Sequence, residues 1–232
     1  SMFQSANNEF WNGDYEKALK EYKQLVNLGV EDAALFYNLG TAYARLGKLG
    51  TAVLYYEKAL RIDPSQNDAR HNIAIIREFI AHRAGEQGRE ADLTPAVGPW
   101  RAVIDRFSSD GAAMLFLGFH LALFIILALR RFAAAEMFRL SLGVVAGVLA
   151  ILTATTLAIA IGKWKLDHVE QEAVVVAEGS ADIMEGPGSE VKRFALEEGS
   201  RVNVLETREN WLRIKDSEGR DGWSPSSNLG TI

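Results

Sequence analysis

The stretches GAAMLFLGFHLALFIILAL (residues 111–129) and LSLGVVAGVLAILTATTLAIAIG (residues 140–162) decide how the rest of the chain is read. Neither contains Asp, Glu, Lys or Arg, and they flank a loop running from Arg130 to Arg139. At 1.5 Å of rise per residue the first run makes a helix about 28 Å long, close to the ~30 Å hydrocarbon core of a bilayer. The second is slightly longer. In hydrocarbon every backbone N–H and C=O has to be bonded within its own segment, so both runs are predicted to be transmembrane helices. The short loop makes them an antiparallel hairpin, with everything before and after it on one face of one membrane.

The loop carries Arg130, Arg131 and Arg139 against Glu136. The opposite flanks carry Arg101, Arg106, Lys163 and Lys165, partly matched by Asp105, Asp110 and Asp167. Density of basic residues in a short loop places that loop in the cytoplasm and both flanking domains outside it. Ser1-Met2-Phe3 leads directly into a helical pattern, so this orientation carries the expectation of a cleaved signal ahead of Ser1. Within the second span, Gly143, Gly147, Ala150, Ala154, Ala158 and Gly162 repeat small residues at about every fourth position, and packing against the first span is their expected use. His120 is expected to be neutral and bonded to a nearby hydroxyl or carbonyl.

Composition narrows the function classes. The net charge of −5 and pI near 5.5 give no basic face for phosphate, which argues against nucleic acid. With no cysteine, disulfides, thiolate metal sites and thiol catalysis are excluded. His71, His82, His120 and His168 are scattered over separate segments, and Glu197-Glu198 and Glu170-x-Glu172 read as solvated turn and linker. No catalytic, cofactor or metal residues are therefore assigned, and the chain is not expected to be an enzyme.

Ahead of the hairpin, shifting the chain by 34 residues lays Gly13 on Gly47, Ala18 on Ala52, Tyr22 on Tyr56 and Val26 on Leu60. A further shift lays Asn38 on Asn72. The run Phe36-Tyr-Asn-Leu-Gly-Thr-Ala-Tyr43, then Gly47, Ala52, Tyr56, Ala59 and Pro64, resembles one complete tetratricopeptide repeat. Small residues at Gly40, Ala52 and Ala59 allow two helices to approach closely, Gly47 turns the chain between them, and Pro64 ends the second. Residues 1–83 are read as two such repeats, with Asp68 to about Arg83 as a capping helix. The resemblance implies a concave groove lined by the first helix of each pair, with Asn7, Trp11, Asn38, Thr41, Arg45 and Asn72 as candidate protein-binding residues. The competing reading has Asn38 and Asn72 bonding backbone between repeats and Trp11 packing in the core.

Residues 84–110 read as a linker with Gly85, Gly88, Pro95, Gly98 and Pro99, followed by an amphipathic helix with Trp100, Val103, Ile104 and Phe107 opposite Arg101, Asp105 and Arg106. That helix is expected to lie in the lipid headgroup region, since no adjacent domain is evident to bury it. Residues 163–172 read as a second linker.

From residue 173 to 232 the period becomes alternating. Ala173–Val176, Val202–Leu205 and Trp211–Ile214 are short β runs between turn clusters, and about five strands in a small barrel are expected. Glu198-Gly199, Trp211-Leu-Arg-Ile214 and Gly219-Arg-Asp-Gly222-Trp223 resemble a bacterial SH3 domain. Gly199 is expected to take positive φ, and Gly219 and Gly222 to form a tight hairpin. Trp211 and Trp223 either form a ligand face or cover the barrel core, with at least one expected in the core.

The fold class read from the chain is thus a multidomain membrane protein: all-α tetratricopeptide repeats, a transmembrane helical hairpin and a small all-β SH3-like barrel. This order of modules resembles the BatE family of the Bacteroides aerotolerance (Bat) operon. The resemblance implies a two-pass protein of the bacterial inner membrane, with von Willebrand A-domain membrane proteins and other Bat components, beside a MoxR-type ATPase, as partners. A scaffold of that kind contrasts with a cell-wall anchor whose SH3-like domain grips peptidoglycan while its repeats recruit a client.

Overall fold

The structure, a computed structural model, describes residues 1–89, 93, 99–168 and 171–232. Pro95, Gly98 and Glu170 lie outside the described residues, as do the side chains of Pro99, Arg101, Asp167 and His168. The repeats and the C-terminal sheet form one compact unit, and the apolar hairpin forms a second.

The 34-residue period becomes two helical hairpins and a fifth helix: α1 (Met2–Trp11), α2 (Tyr15–Asn27), α3 (Ala33–Arg45), α4 (Leu49–Ile62) and α5 (Asn67–Glu86). Gly13 and Gly47 occupy the same turn one repeat apart, with φ of +85° and +76° that a side chain would strain. A Cβ on Gly40 would lie 2.8 Å from the Tyr56 ring, so the close approach of α3 and α4 requires glycine there. The helix α4 stops at Ile62, with Pro64 just beyond. The α5 helix runs through Ala84 to Glu86, past the point where a linker was expected to begin. Leu93, within that expected linker, is buried against the repeat core.

The C-terminal residues form seven antiparallel strands rather than five: β1 (Gln171–Val175), β2 (Ser180–Met184), β3 (Lys192–Glu197), β4 (Arg201–Arg208), β5 (Trp211–Lys215), β6 (Asp221–Pro225) and β7 (Leu229–Thr231). Their order is β3-β2-β6-β5-β4-β1-β7. Gly199 and Gly219 have positive φ, but Gly222 is needed for a different reason. A Cβ there would lie 2.5 Å from Ile183 and 2.9 Å from the Met184 carbonyl, so close strand approach, not turn geometry, selects it.

Strand β1 is buried on both faces. Ala173 and Val175 enter the sheet's own core with Ile183, Val202, Leu212 and Ile214. Val174 instead joins the core of the repeats, with Val176 and Ile232 packed beside it. Alternation along one strand therefore divides two cores, which is why its apolar run is unbroken.

The sheet docks on one face of α4 and α5. A Cβ on Gly50 would lie 2.5 Å from the Val175 carbonyl, Leu54 packs against Gly230, and Gly199 faces Val53 and Ile80. Charge completes the contact. Buried Glu57 accepts from Arg77 at 2.9 Å and pairs with Arg201 at 3.4 Å, while Arg201 donates to buried Glu172 at 2.6 Å. Arg83 pairs with Glu198 at 3.2 Å and Arg89 with Glu197. Glu172, Glu197 and Glu198 are thus buried ion-pair partners, not the solvated carboxylates expected: Arg201 of the neighbouring strand β4 reaches Glu172, while Arg83 of α5 and Arg89 just beyond it reach Glu198 and Glu197 across the chain. Shifting Gly50, Val53, Leu54, Glu57 and Ile80 back by 34 residues gives Glu16, Leu19, Lys20, Lys23 and Leu46, which line an open groove in repeat one. The two surfaces share a position in the repeat. The second carries glycine and leucine where the first carries Glu16 and Lys20, and only the second is covered.

The hairpin consists of α7 (Ser109–Phe132) and α8 (Glu136–His168), with Ala133 to Ala135 between them. The connection is shorter than the expected 130–139, because Arg130 and Arg131 close α7 and Glu136 opens α8, each at the helix end that its charge favours. At the far end α8 continues through Lys163 and Lys165, where a linker was expected. Both helices are long and apolar enough to cross a membrane, and only 6 % and 22 % of their apolar windows are buried, unlike helices of a soluble core. Buried and half-buried residues recur at spacings of three and four: Ala112, Phe116, Phe119, Leu123 and Ile126 on α7, and Leu142, Ala146, Leu149, Thr153 and Thr156 on α8. The Thr153 and Thr156 hydroxyls donate to the Leu149 and Leu152 carbonyls at 2.8 Å, so neither is left unsatisfied.

Three expectations for this segment change. Gly147, Ala150, Ala154 and Ala158 are exposed, so the small-residue stripe is not the face that packs within the hairpin. His120 sits between Phe116 and Phe124, with ring centroids 5.4 and 4.9 Å away, and makes no hydrogen bond among the described residues. The amphipathic segment forms a short α6 (Pro99–Ile104) whose Ile104 is buried against Gly162 of α8, where a Cβ would come within 2.6 Å. It does have a neighbour to bury it.

Candidate functional site

Two surfaces bring the candidate residues together. On the repeats, α1, α3 and α5 place equivalent positions side by side at a spacing of 34 residues. The Asn7 Oδ1 accepts from the Tyr22 hydroxyl at 2.6 Å and from Asn38 Nδ2 at 3.0 Å, which ties α1, α2 and α3 together. The Thr41 hydroxyl donates to the Tyr37 carbonyl at 3.0 Å and accepts from Tyr56 at 3.1 Å. Asn72 Nδ2 donates to the Tyr56 hydroxyl at 3.2 Å. Asn38 and Asn72 therefore bond side chains rather than backbone. These four residues fix the spacing of the helices that form the groove.

Burial pushes the Tyr22 phenol up to about 12, and it raises Tyr56 as well; in Tyr56 the hydrogen bonds to Thr41 and Asn72 pull the other way. Both hydroxyls stay protonated and keep the ladder intact over any ordinary pH.

Trp11 and Arg45 differ from the other four. Trp11 is 80 % exposed, so it does not pack in the core, and Arg45 is exposed with no ion pair among the described residues. Two residues of the same surface escaped the sequence reading: Ile75 and Phe79 on α5, 51 % and 58 % exposed. The signal for them was present, since a 34-residue shift of Thr41 and Arg45 lands on Ile75 and Phe79. Both were absorbed into the capping helix and its core.

On the sheet, strand register places Trp211, Arg213, Asp221 and Trp223 on one face of β5 and β6. Trp211 is half-buried, whereas Trp223 is only 7 % exposed. Trp223 nonetheless lies on the face opposite Leu212 and Ile214, which fill the core. It is covered from outside by the Arg208 guanidinium, 5.2 Å from its ring. Arg213 donates two bonds to Asp221, at 3.0 and 2.6 Å, and that guanidinium holds the Asp221 carboxyl below the usual carboxylate range. The face thus presents one accessible indole beside internally paired charges. Among the described residues no group of three or more His, Asp or Glu side chains could hold a metal ion.

These features define a protein with tetratricopeptide repeats at its N-terminal end and a bacterial SH3 domain near its C-terminal end: the tetratricopeptide-repeat family matches residues 3–67 and the bacterial SH3 domain family matches residues 185–230. The repeats are also similar to photosystem I assembly protein Ycf3. Identity is 30 % over 81 residues with the protein of Synechococcus elongatus, covering 34 % of this chain and 47 % of that one. It is 30 % over 83 residues with that of Rippkaea orientalis, covering 34 % and 48 %. With that of Cyanophora paradoxa it is 29 % over 99 residues, covering 40 % and 57 %. The chain spans about half the length of the curated relatives it matches.

Proposed function

We propose that the chain is a membrane-anchored, non-catalytic scaffold of the bacterial envelope that presents a repeat groove and an SH3-like domain on the same, extracytoplasmic side. The observation that carries this is the packing of the repeats and the sheet into one unit although an apolar hairpin separates them in sequence. Two spans return the chain to the side it left, and a shared core requires that return. Both family matches are to modules that recognise proteins or cell-wall material, and the repeat relatives are named as photosystem I assembly proteins. Arg130, Arg131 and Arg139, on the helix ends that flank the connection, support a cytoplasmic loop. The order of modules favours a BatE-like role in a Bat/MoxR stress-tolerance complex with von Willebrand A-domain proteins.

The test is site-specific photo-crosslinking in cells. A crosslinker replacing exposed Gln4, the equivalent on α1 of Asn38, should give a discrete protein adduct that one replacing Gln24, exposed on α2, does not. Identical adducts from both positions, or none from Gln4, would remove the groove as the working surface. The half-buried Trp211 keeps a cell-wall anchor as the second reading, and sedimentation of the full chain with purified sacculi, lost on Trp211→Ala, would favour it.

A further inference from the structure

The 34-residue period aligns Trp11, Arg45 and Phe79 at the same point on α1, α3 and α5. All three are exposed. They form a row across the helices in which two aromatic side chains flank a guanidinium, with Ile75 one turn before Phe79. Neither aromatic ring contributes to the buried core, and Arg45 has no carboxylate partner among the described residues. Large apolar side chains exposed on both sides of an unpaired cation mark a surface complementary to the reverse pattern.

Resting on the reading of this face as the partner-binding surface, we propose that the row binds an extended peptide segment whose carboxylate pairs with Arg45 and whose apolar side chains, about three residues to either side, pack on Trp11 and on Phe79 with Ile75. The spacing follows from geometry. Neighbouring packed helices stand roughly 8–10 Å apart, and an extended chain advances about 3.3 Å per residue, so one helix-to-helix step takes about three residues. A helical ligand, at 1.5 Å per residue, would need about six. Beneath the row, Asn38 bonds Asn7 and so ties α3 to α1, while Thr41 and Asn72 both bond Tyr56 of α4 and so tie α3 and α5 to the helix between them, without occupying the surface.

Fluorescence anisotropy on the full chain in lipid nanodiscs tests this, with labelled peptides of the form Leu-(Ser)n-Glu-(Ser)n-Leu and n from one to four, corrected for empty nanodiscs. Binding should be tightest near two serines. It should weaken at least about tenfold when the peptide Glu becomes Lys, and similarly with Trp11→Ser or Phe79→Ser, both at exposed positions that leave the fold intact. Arg45→Glu should reverse the preference, so that the Lys peptide binds better than the Glu peptide. Absence of binding, affinity independent of n, or a Glu preference unchanged by Arg45→Glu would overturn the proposal. If the peptides fail while a crosslinker at residue 4 still captures a discrete partner, this recognition pattern falls and the groove reading stands; if both fail, both fall.

Discussion

Single residues set the limits of this architecture, and Gly50 is the most constrained. Its missing Cβ would lie 2.5 Å from the Val175 carbonyl and 3.1 Å from the Val176 Cα, both backbone atoms that cannot rotate away. Gly50→Ala should cost about 1–3 kcal/mol by forcing the sheet off α4. Gly85→Ala, at a helical site with nothing within 4 Å, should be neutral or stabilise by up to about 1 kcal/mol. Denaturant titration of the two variants separates steric docking from helix propensity. Tyr22 makes a pH prediction. Its phenol sits above its ordinary value of 10, at about 12, because burial disfavours the phenolate. Below pH 10 folded and unfolded chains both keep the proton. Between about 10 and 12 only the unfolded chain releases it, so stability should fall as pH rises through that window. Tyr22→Phe should flatten that fall while weakening the anchor on Asn7, as read from melting temperature against pH.

At the level of elements, the contact between α4–α5 and the sheet rests on buried charge as much as on apolar packing. Glu57 serves Arg77 and Arg201 together. Glu57→Ala should therefore destabilise the joined unit by about 3–5 kcal/mol by leaving buried arginines short of a carboxylate. A melting temperature unchanged from wild type would contradict that assignment. The repeats and the two long apolar helices were legible because their signals are local: a 34-residue period with small residues and glycine turns, and two charge-free runs long enough to span. Helix ends were less legible, since Arg130, Glu136 and Lys163 read as loop or linker by charge, yet charge at a helix terminus is compatible with the helix. Strands β2 and β3 were missed for different reasons: Ser180–Met184 alternates but is short and turns only Ala181 and Ile183 inward, and Lys192–Glu197 does not alternate in burial. The docking of the sheet was not legible at all. It joins Glu57 to Arg201 and Leu54 to Gly230 across the hairpin, and no local pattern encodes such a pairing. Even so, β1 carried a trace of it, in an apolar run too continuous for a strand with one wet face. In the groove, Asn7, Asn38, Thr41 and Asn72 were found by position but act as framework, while Ile75 and Phe79 were overlooked because large apolar residues interleaved with Ile73, Ile76 and Ile80 on a capping helix read as core.

At the scale of the whole molecule, the proposed function has a two-pass anchor holding one fused repeat–SH3 unit outside the cytoplasm. The absence of native cysteine makes this directly measurable. Single cysteines at Gln24 on α2, at Ala134 in the connection between α7 and α8, and at Ser226 after β6 are all at exposed positions. Intact cells treated with a membrane-impermeant maleimide should label Gln24→Cys and Ser226→Cys, and should label Ala134→Cys only after permeabilisation. Labelling of Ala134→Cys alone would put the fused unit in the cytoplasm and contradict the envelope assignment. Opposite behaviour of Gln24→Cys and Ser226→Cys would contradict the shared core itself.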